Sequence, residues 1–349
     1  MTVELHLGDC RTVMAAMPEA SIDSIVTDPP YGLSSGPTKF LGDEGARAGF
    51  MGKAWDHGVP GPDFWREALR VAKPGAHLVA FGGTRTFHRL TCAIEDAGWE
   101  VRDVLAWMYG SGFPKSHNGA WGGTALKPAY EPIILARKPL AGTVAATFAA
   151  HGTGGLNVDG CRIAADWSTD PTRRGWQGLK APNGGMFVGG VSANLSQPNA
   201  AGRWPANVIL DEDAGALLDA QSGVLTSGKS DGFVGEVTTS VALGAKRNQI
   251  RPESVYGDSG GASRFFYCAK ASRRERGEGN DWPTVKPLAL MRWLCRLVTP
   301  AGGVVLDPFH GSGSTLLAAR DEGFRAIGID MDEHAREIAM RRLGMQEAA

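Results

Sequence analysis

Two short apolar runs in this chain each end in an acidic, proline-bearing turn, and this repetition constrains the fold more than any other feature. Ile22–Thr27 runs into Asp28-Pro29-Pro30-Tyr31, and Gly303–Leu306 runs into Asp307-Pro308-Phe309, then Gly311-Ser312-Gly313. A short, continuous apolar run bounded by turn residues fits a strand buried on both faces, as in a parallel sheet. The second turn leads into a helical pattern from Ser314 to Arg320. Strand, tight turn and helix in succession are the unit of an α/β fold.

The glycine turn has a recognisable chemistry. Glycine permits a sharp turn and lets backbone N–H groups approach a ligand, and a helix N-terminus favours a carboxylate or phosphate. The next strand, Arg325–Ile329, ends at Asp330, where a carboxylate can accept hydrogen bonds from ribose hydroxyls. On its own the segment also reads as a plain strand–turn–helix capped by glycine. A nicotinamide site would want the full GxGxxG, but Leu316 follows Gly311 and Gly313, and no Walker lysine is present.

The first turn suits a different partner. Pro29 and Pro30 remove two backbone donors and stiffen the chain. The Asp28 carboxylate and the Pro29 carbonyl can each accept one N–H of an exocyclic amino group, aiming its lone pair at an electrophile. Tyr31 can stack on a base turned out of the helix. A structural Pro-Pro turn with a packed tyrosine is the simpler alternative; finding both turns in one chain, each after an apolar strand, favours the chemical one.

Other strands are expected at Val3–Leu7, Ala76–Phe81, Val101–Trp107 and Glu131–Ala136. Helices are expected at Pro62–Ala72, with Trp65, Ala68, Leu69 and Ala72 on one face, at Leu288–Val298, and after an Asp332 N-cap. Residues 141–265 differ, with GTGG, PNGGMFVGG and GDSGGAS stretches and scattered basic residues: Arg173, Arg174, Lys180, Arg203, Lys246, Arg247 and Arg251. The expected organisation is therefore residues 1–140 and 266–349 as two halves of one α/β domain, interrupted by a loop-rich insertion.

Composition narrows the partners. The formal net charge of -1 means that nucleic-acid contact must come from a local basic patch. Five cysteines without CxxC spacing speak against disulfides and zinc, and no metal site is expected among the eight histidines. No leader pattern or membrane-spanning run is seen, so a soluble, cytoplasmic protein with no membrane partner is expected. No cysteine follows a proline, as the covalent nucleophile of cytosine-C5 methylation would; amino methylation needs no such group.

The two turns, in this order, resemble the β-type amino-methyltransferases of DNA, over about 1–138 and 264–345. The resemblance implies a Rossmann-like, S-adenosylmethionine-dependent methyltransferase fold, circularly permuted. Its mostly parallel sheet would have seven strands, taken in the order of those at 303, 325, 3, 22, 76, 101 and 131. It implies catalytic roles for Asp28, Pro29, Pro30 and Tyr31. It also implies S-adenosyl-L-methionine as cofactor, held by Asp9, Cys10, Lys286, Asp307, Pro308, Phe309, Gly311, Gly313 and Asp330. Asp9 matches the acid that contacts the cofactor adenine, and Pro283-Thr284-Val285-Lys286-Pro287 matches a motif bordering that pocket. Trp282 stands where the family usually has histidine.

Residues 141–265 would then be the target-recognition region, and double-stranded DNA the partner. Adenine N6 is the first choice of target and cytosine N4 the alternative; RNA, protein-glutamine methylation and a non-catalytic binding module rank lower. The loop Tyr109–Ser116 falls where the family lines its base pocket, with Trp107 or Phe113 available to stack, although a surface loop is an equal reading. Arg273-Arg274-Glu275-Arg276 reads as a solvated helix face. No endonuclease-like segment is visible, so the chain should modify DNA and not cut it. A restriction-modification partner and the oligomeric state, a homodimer included, stay open.

Overall fold

The computed structural model describes residues 2–33, 39–41, 56–112, 118–165, 201–226, 233–238, 246–251, 259–269, 277 and 279–345. Phe113–Ser116, Arg173, Arg174, Lys180 and Arg273–Arg276 lie outside the described residues, as do the side chains of Lys246, Arg247 and Arg251. The chain divides into two compact units. The first is Met1–Cys161, Ala206–Gly215 and Phe266–Ala349; the second is Arg162–Pro205 and Ala216–Phe265.

The first unit is built on nine strands: β1 (Val3–Leu7), β2 (Ile22–Thr27), β3 (Ala72–Phe81), β4 (Glu100–Met108), β5 (Tyr130–Arg137), β6 (Val208–Asp211), β7 (Tyr267–Ala269), β8 (Val304–Asp307) and β9 (Arg325–Asp330). They form one sheet in the order β1-β9-β8-β2-β3-β5-β4-β6-β7. β5 runs antiparallel to both of its neighbours, and the other pairs are parallel. Counted in the permuted order that starts at β8, the seven expected strands stand as 3-2-1-4-5-7-6.

The sheet has two strands more than expected. β6 and β7 are too short for periodicity to reveal, and they extend the sheet beyond β4. Both β6 and a helix, α4 (Val144–His151), come from the stretch read as insertion yet belong to the first unit. A Thr143 side-chain cap starts α4 and left-handed Gly152 ends it.

Helices cover both faces of the sheet. On one face, α1 (Cys10–Ala15), α2 (Pro62–Val71) and α3 (Phe87–Asp96) pack against Ile25, Leu78 and Ala80. On the other, α5 (Leu288–Val298) and α6 (Ser314–Asp321) pack against Val26, Val79 and Phe81. Alternation along β2 and β3 thus feeds two cores, and the continuous apolar stretches Ile25–Val26 and Leu78–Phe81 lie where both faces are covered. α2 buries Phe64, Trp65, Ala68 and Val71, one stripe at helical spacing, with proline in its first turn. It ends one residue before the expected Ala72, which is already extended and pairs with Ile22. The last helix, α7 (Glu333–Leu343), starts at an Asp332 carboxylate that accepts from His334 N and Ala335 N. No helix among the described residues is long and apolar enough to cross a membrane.

In the second unit, Phe233–Thr238 and Lys246–Arg251 form an antiparallel pair. Asp219 accepts the backbone N–H and the hydroxyl of Ser263, at 2.8 and 2.7 Å.

Candidate active site

Strand order reverses between β8 and β2: β9 and β1 lie beyond β8 on one side, β3 beyond β2 on the other. Such a switch point opens a crevice at the carboxyl ends of the strands, where ligands bind in open α/β sheets. Here the two strands flanking the crevice deliver the two turns, Asp28–Tyr31 from β2 and Asp307–Gly313 from β8. A cavity of about 950 Å³ fills the place, lined by residues of both turns.

The glycine-turn side is held by its own carboxylates. Asp330, at the end of β9, accepts Gly311 N at 2.9 Å through one oxygen and Asp332 N at 2.9 Å through the other. Gly311 and Gly313 have φ of +47° and +79°, the left-handed region that favours glycine. A Cβ on Gly311 would come within 2.8 Å of Trp282 Nε1, and one on Gly313 within 3.0 Å of Ala339 Cβ. The turn therefore closes tightly over Trp282 and delivers α6 with its N-terminus at the cavity, where Ser314 and Thr315 line the wall.

Asp307 is fully enclosed. Its Oδ1 accepts the Thr27 hydroxyl at 2.7 Å and Phe309 N at 3.2 Å, and burial pushes its carboxyl up to about 7. His310 is also buried; its Nδ1 meets Gly311 O at 2.8 Å, its Nε2 has no partner, and burial lowers its pKa. Beside Asp330, where Gly8 N donates to Asp330 O at 2.8 Å, Asp9 caps α1, accepting Arg11 N at 2.8 Å and the Arg11 side chain at 2.7 Å. Hydrogen bonding from Arg11 holds Asp9 below the usual carboxylate range. Acidic groups, glycine backbone and the apolar Phe309 together suit a nucleoside carrying a cationic amino-acid tail, so the residues present fit S-adenosylmethionine.

The other side of the cavity carries four polar side chains in mutual contact. Lys286 Nζ lies 2.6 Å from Asp28 Oδ2, 3.1 Å from the Tyr31 hydroxyl and 3.3 Å from Glu131 Oε2. The Tyr31 hydroxyl donates to Glu131 Oε2 at 2.8 Å. Asp28 Oδ1 is buried and has no partner. Burial raises the Asp28 pKa; Lys286 opposes the rise and Glu131 adds to it. Burial works against the Lys286 ammonium, yet Asp28 and Glu131 outweigh it and keep the group charged. The turn itself is pinned from outside, with the Thr86 hydroxyl donating to Tyr31 O at 2.6 Å and Gly32 N to Asp56 at 2.8 Å.

All the expected site residues line this cavity except Gly313, which serves the turn behind it. Lys286, expected among the cofactor residues, bonds instead to the Asp28 turn. The Cys10 thiol is buried in α1, and burial pushes it up to about 12, so it lines the wall as an inert group. Trp107 lines the cavity, its ring edge-on to Phe81 at 6.5 Å. Sequence reasoning missed Glu131 and Thr27 as parts of the site. The one available signal for Glu131 was a lone acid at the mouth of an apolar strand. Among the described residues no cluster of His, Cys, Asp or Glu could hold a metal ion.

The sequence profile of a DNA methylase family of N6 and N4 methyltransferases matches residues 22–341. The chain is similar to the type II methyltransferase M.HindIII of Haemophilus influenzae, 47% identical over 62 residues, 18% of this chain and 20% of that protein. It is also similar to the type II methyltransferase M.ScaI of Streptomyces caespitosus, 38% identical over 79 residues, 23% of this chain and 26% of that one. The matches thus span about a fifth to a quarter of these relatives' lengths. Among solved structures, the PvuII DNA methyltransferase, cytosine-N4-specific, superposes with a TM-score of 0.53 at 13% identity, covering 100% of this chain and 89% of that one. At that identity the likeness concerns the fold, an α/β methyltransferase fold with a mostly parallel sheet. With the profile running across nearly all of its length, the chain belongs to the N6/N4 DNA methylase family.

Proposed function

We propose that the chain transfers a methyl group from S-adenosylmethionine to the N6 amino group of adenine in duplex DNA. The observation that carries this reading is the Asp28 carboxylate at the switch point. One of its oxygens is held by Lys286, and the other is buried without a donor. A buried acceptor left unpaired costs about 1–3 kcal/mol, and an exocyclic amino group supplies the missing donor.

Bound S-adenosylmethionine would supply an electrophilic methyl carbon: the amino nitrogen would form the N–C bond as the C–S bond breaks with its electron pair staying on sulfur, and the nitrogen would then give up its proton to solvent. Asp28 and the Pro29 carbonyl accept the amino hydrogens and aim the lone pair. The Tyr31 ring, in the cavity wall, packs against a base turned out of the duplex. Asp9 and Asp330 face the nucleoside, and Asp307 the amino-acid tail.

The second unit is read as the DNA-facing part. The Arg162 guanidinium lies 5.5 Å over the exposed Trp204 ring, and those of Arg203 and Arg264 lie 5.0 and 4.2 Å from the Phe265 ring centre. Arginine on aromatic faces suits phosphates and bases, and binding should weaken with salt.

Asp28→Ala tests the assignment. It should abolish methyl transfer while leaving S-adenosylmethionine affinity within about twofold; full transfer by this variant would remove Asp28 from the chemistry.

A further inference from the structure

We infer that Glu131 is a positioning residue for methyl transfer: through Lys286 and Tyr31 it sets the arrangement of Asp28 and keeps an excess of negative charge where the target nitrogen becomes cationic. The inference rests on the function proposed above.

Glu131 is the second residue of β5, the one antiparallel strand inside the sheet, opposite Trp107 of β4. Its carboxylate touches the Tyr31 hydroxyl at 2.8 Å and the Lys286 ammonium at 3.3 Å. Lys286 is 8% exposed and lies 5.3 and 4.9 Å from the ring centres of Tyr31 and Phe81. Aromatic faces and two carboxylates thus hold the ammonium in place. Its short contact to Asp28 Oδ2 then fixes the carboxylate plane, leaving Oδ1 for the amino group.

Charge makes the second half of the case. Were Lys286 paired with Asp28 alone, the buried pair would be neutral. Two carboxylates sharing one ammonium leave one negative charge in a place where burial opposes it. Methyl transfer moves a positive charge from sulfur to the target nitrogen, so negative charge fixed beside that nitrogen stabilises the transition state more than the ground state. Glu131 supplies this excess without touching the reacting atoms. Sequence spacing gives no hint of it, since Glu131, Lys286 and Asp28 come from three distant segments.

The groups facing Asp28 are Lys286, Glu131 and Tyr31, with Asp307 on the neighbouring strand. Glu131→Gln removes a charge that disfavours ionised Asp28, and Lys286→Met removes one that favours it. The test is single-turnover methylation of duplex DNA from a plasmid library, saturating in both substrates, across the acidic range for wild type and both variants. Glu131→Gln keeps the acceptor for Tyr31. It should lower the transfer rate by about ten- to a hundredfold, with affinities for S-adenosylmethionine and DNA within about twofold. Its acid limb should move to lower pH, and that of Lys286→Met to higher pH. Asp307 is intact in all three proteins. If Glu131→Gln does not fold, judged by cofactor binding, Glu131→Asp is read instead; it keeps the charge but draws it one methylene away from Lys286 and Tyr31, and should move the limb the same way by less. Limbs that stay put or move in the same direction, or a loss confined to binding, would overturn the inference. An inactive wild type would instead count against the function on which it rests.

Discussion

The Thr27 hydroxyl donates to the Asp307 carboxylate across 2.7 Å, tying the last residue of β2 to the last residue of β8. These are the residues from which the two turns depart, so this buried hydrogen bond extends the β2–β8 pairing up to the turns themselves. Thr27→Val keeps the shape and deletes the donor. It should cost about 1–3 kcal/mol in unfolding free energy and weaken S-adenosylmethionine binding, as measured by chemical denaturation and calorimetry. Unchanged stability and affinity would show that the tie is incidental.

Asp307 predicts a pH signature. Its folded pKa is about 7 against an ordinary 3.8, so between those values the folded chain holds a proton that the unfolded chain has released. Stability contributed by this group is present below the ordinary value and is lost as pH rises towards the folded one. Asp307→Asn cannot titrate and keeps an oxygen for Thr27. Its stability relative to wild type should rise through that window, by about 1.4 kcal/mol per pH unit at most, and level off above it. Cofactor affinity should fall, because an amide cannot pair with the ammonium of the tail. Parallel stability curves for the two proteins would contradict the assignment.

Asp330 orders the glycine turn through Gly311 N and Asp332 N. Asp330→Ala loses both acceptors together with any bond to the ribose. Cofactor affinity should fall by about 1–3 kcal/mol, read by titration calorimetry, with Asp330→Asn between the two. Affinity equal to wild type in the alanine variant would take Asp330 out of the cofactor site.

Gly311→Ala meets two obstacles, the left-handed backbone at φ +47° and the Trp282 ring 2.8 Å from the new Cβ. The backbone alone costs about 1–2 kcal/mol. Adding Trp282→Ala relieves the clash and leaves the backbone cost, so the double variant should recover cofactor affinity in part relative to Gly311→Ala. No recovery would mean that Trp282 shapes the cavity independently of the turn.

Which parts of this architecture the sequence announces follows from where its signals are local. β2 and β8 are buried on both faces and carry the apolar stretches Ile25–Val26 and Val304–Leu306, and the turns after them carry the prolines and glycines their backbones demand. The permuted strand order was implied by the family resemblance that those motifs carry. β6 and β7 escaped because Val-Ile-Leu-Asp and Tyr-Cys-Ala are too short to show a period and border glycine-rich stretches. Lys286 was legible as part of a motif and not as a partner of Asp28, because that contact spans 258 positions of chain. Glu131 showed in sequence only as a lone acid at the mouth of an apolar strand; its role depends on where β5 enters the sheet and not on its neighbours in sequence.

The most direct test of the central claim is methyl transfer from labelled S-adenosylmethionine to unmodified duplex DNA of diverse sequence, followed by mass spectrometry of the digested nucleosides. The account predicts N6-methyladenine; N4-methylcytosine would keep the chemistry and change the base. A protein that binds the cofactor yet leaves every nucleoside unmodified would contradict it.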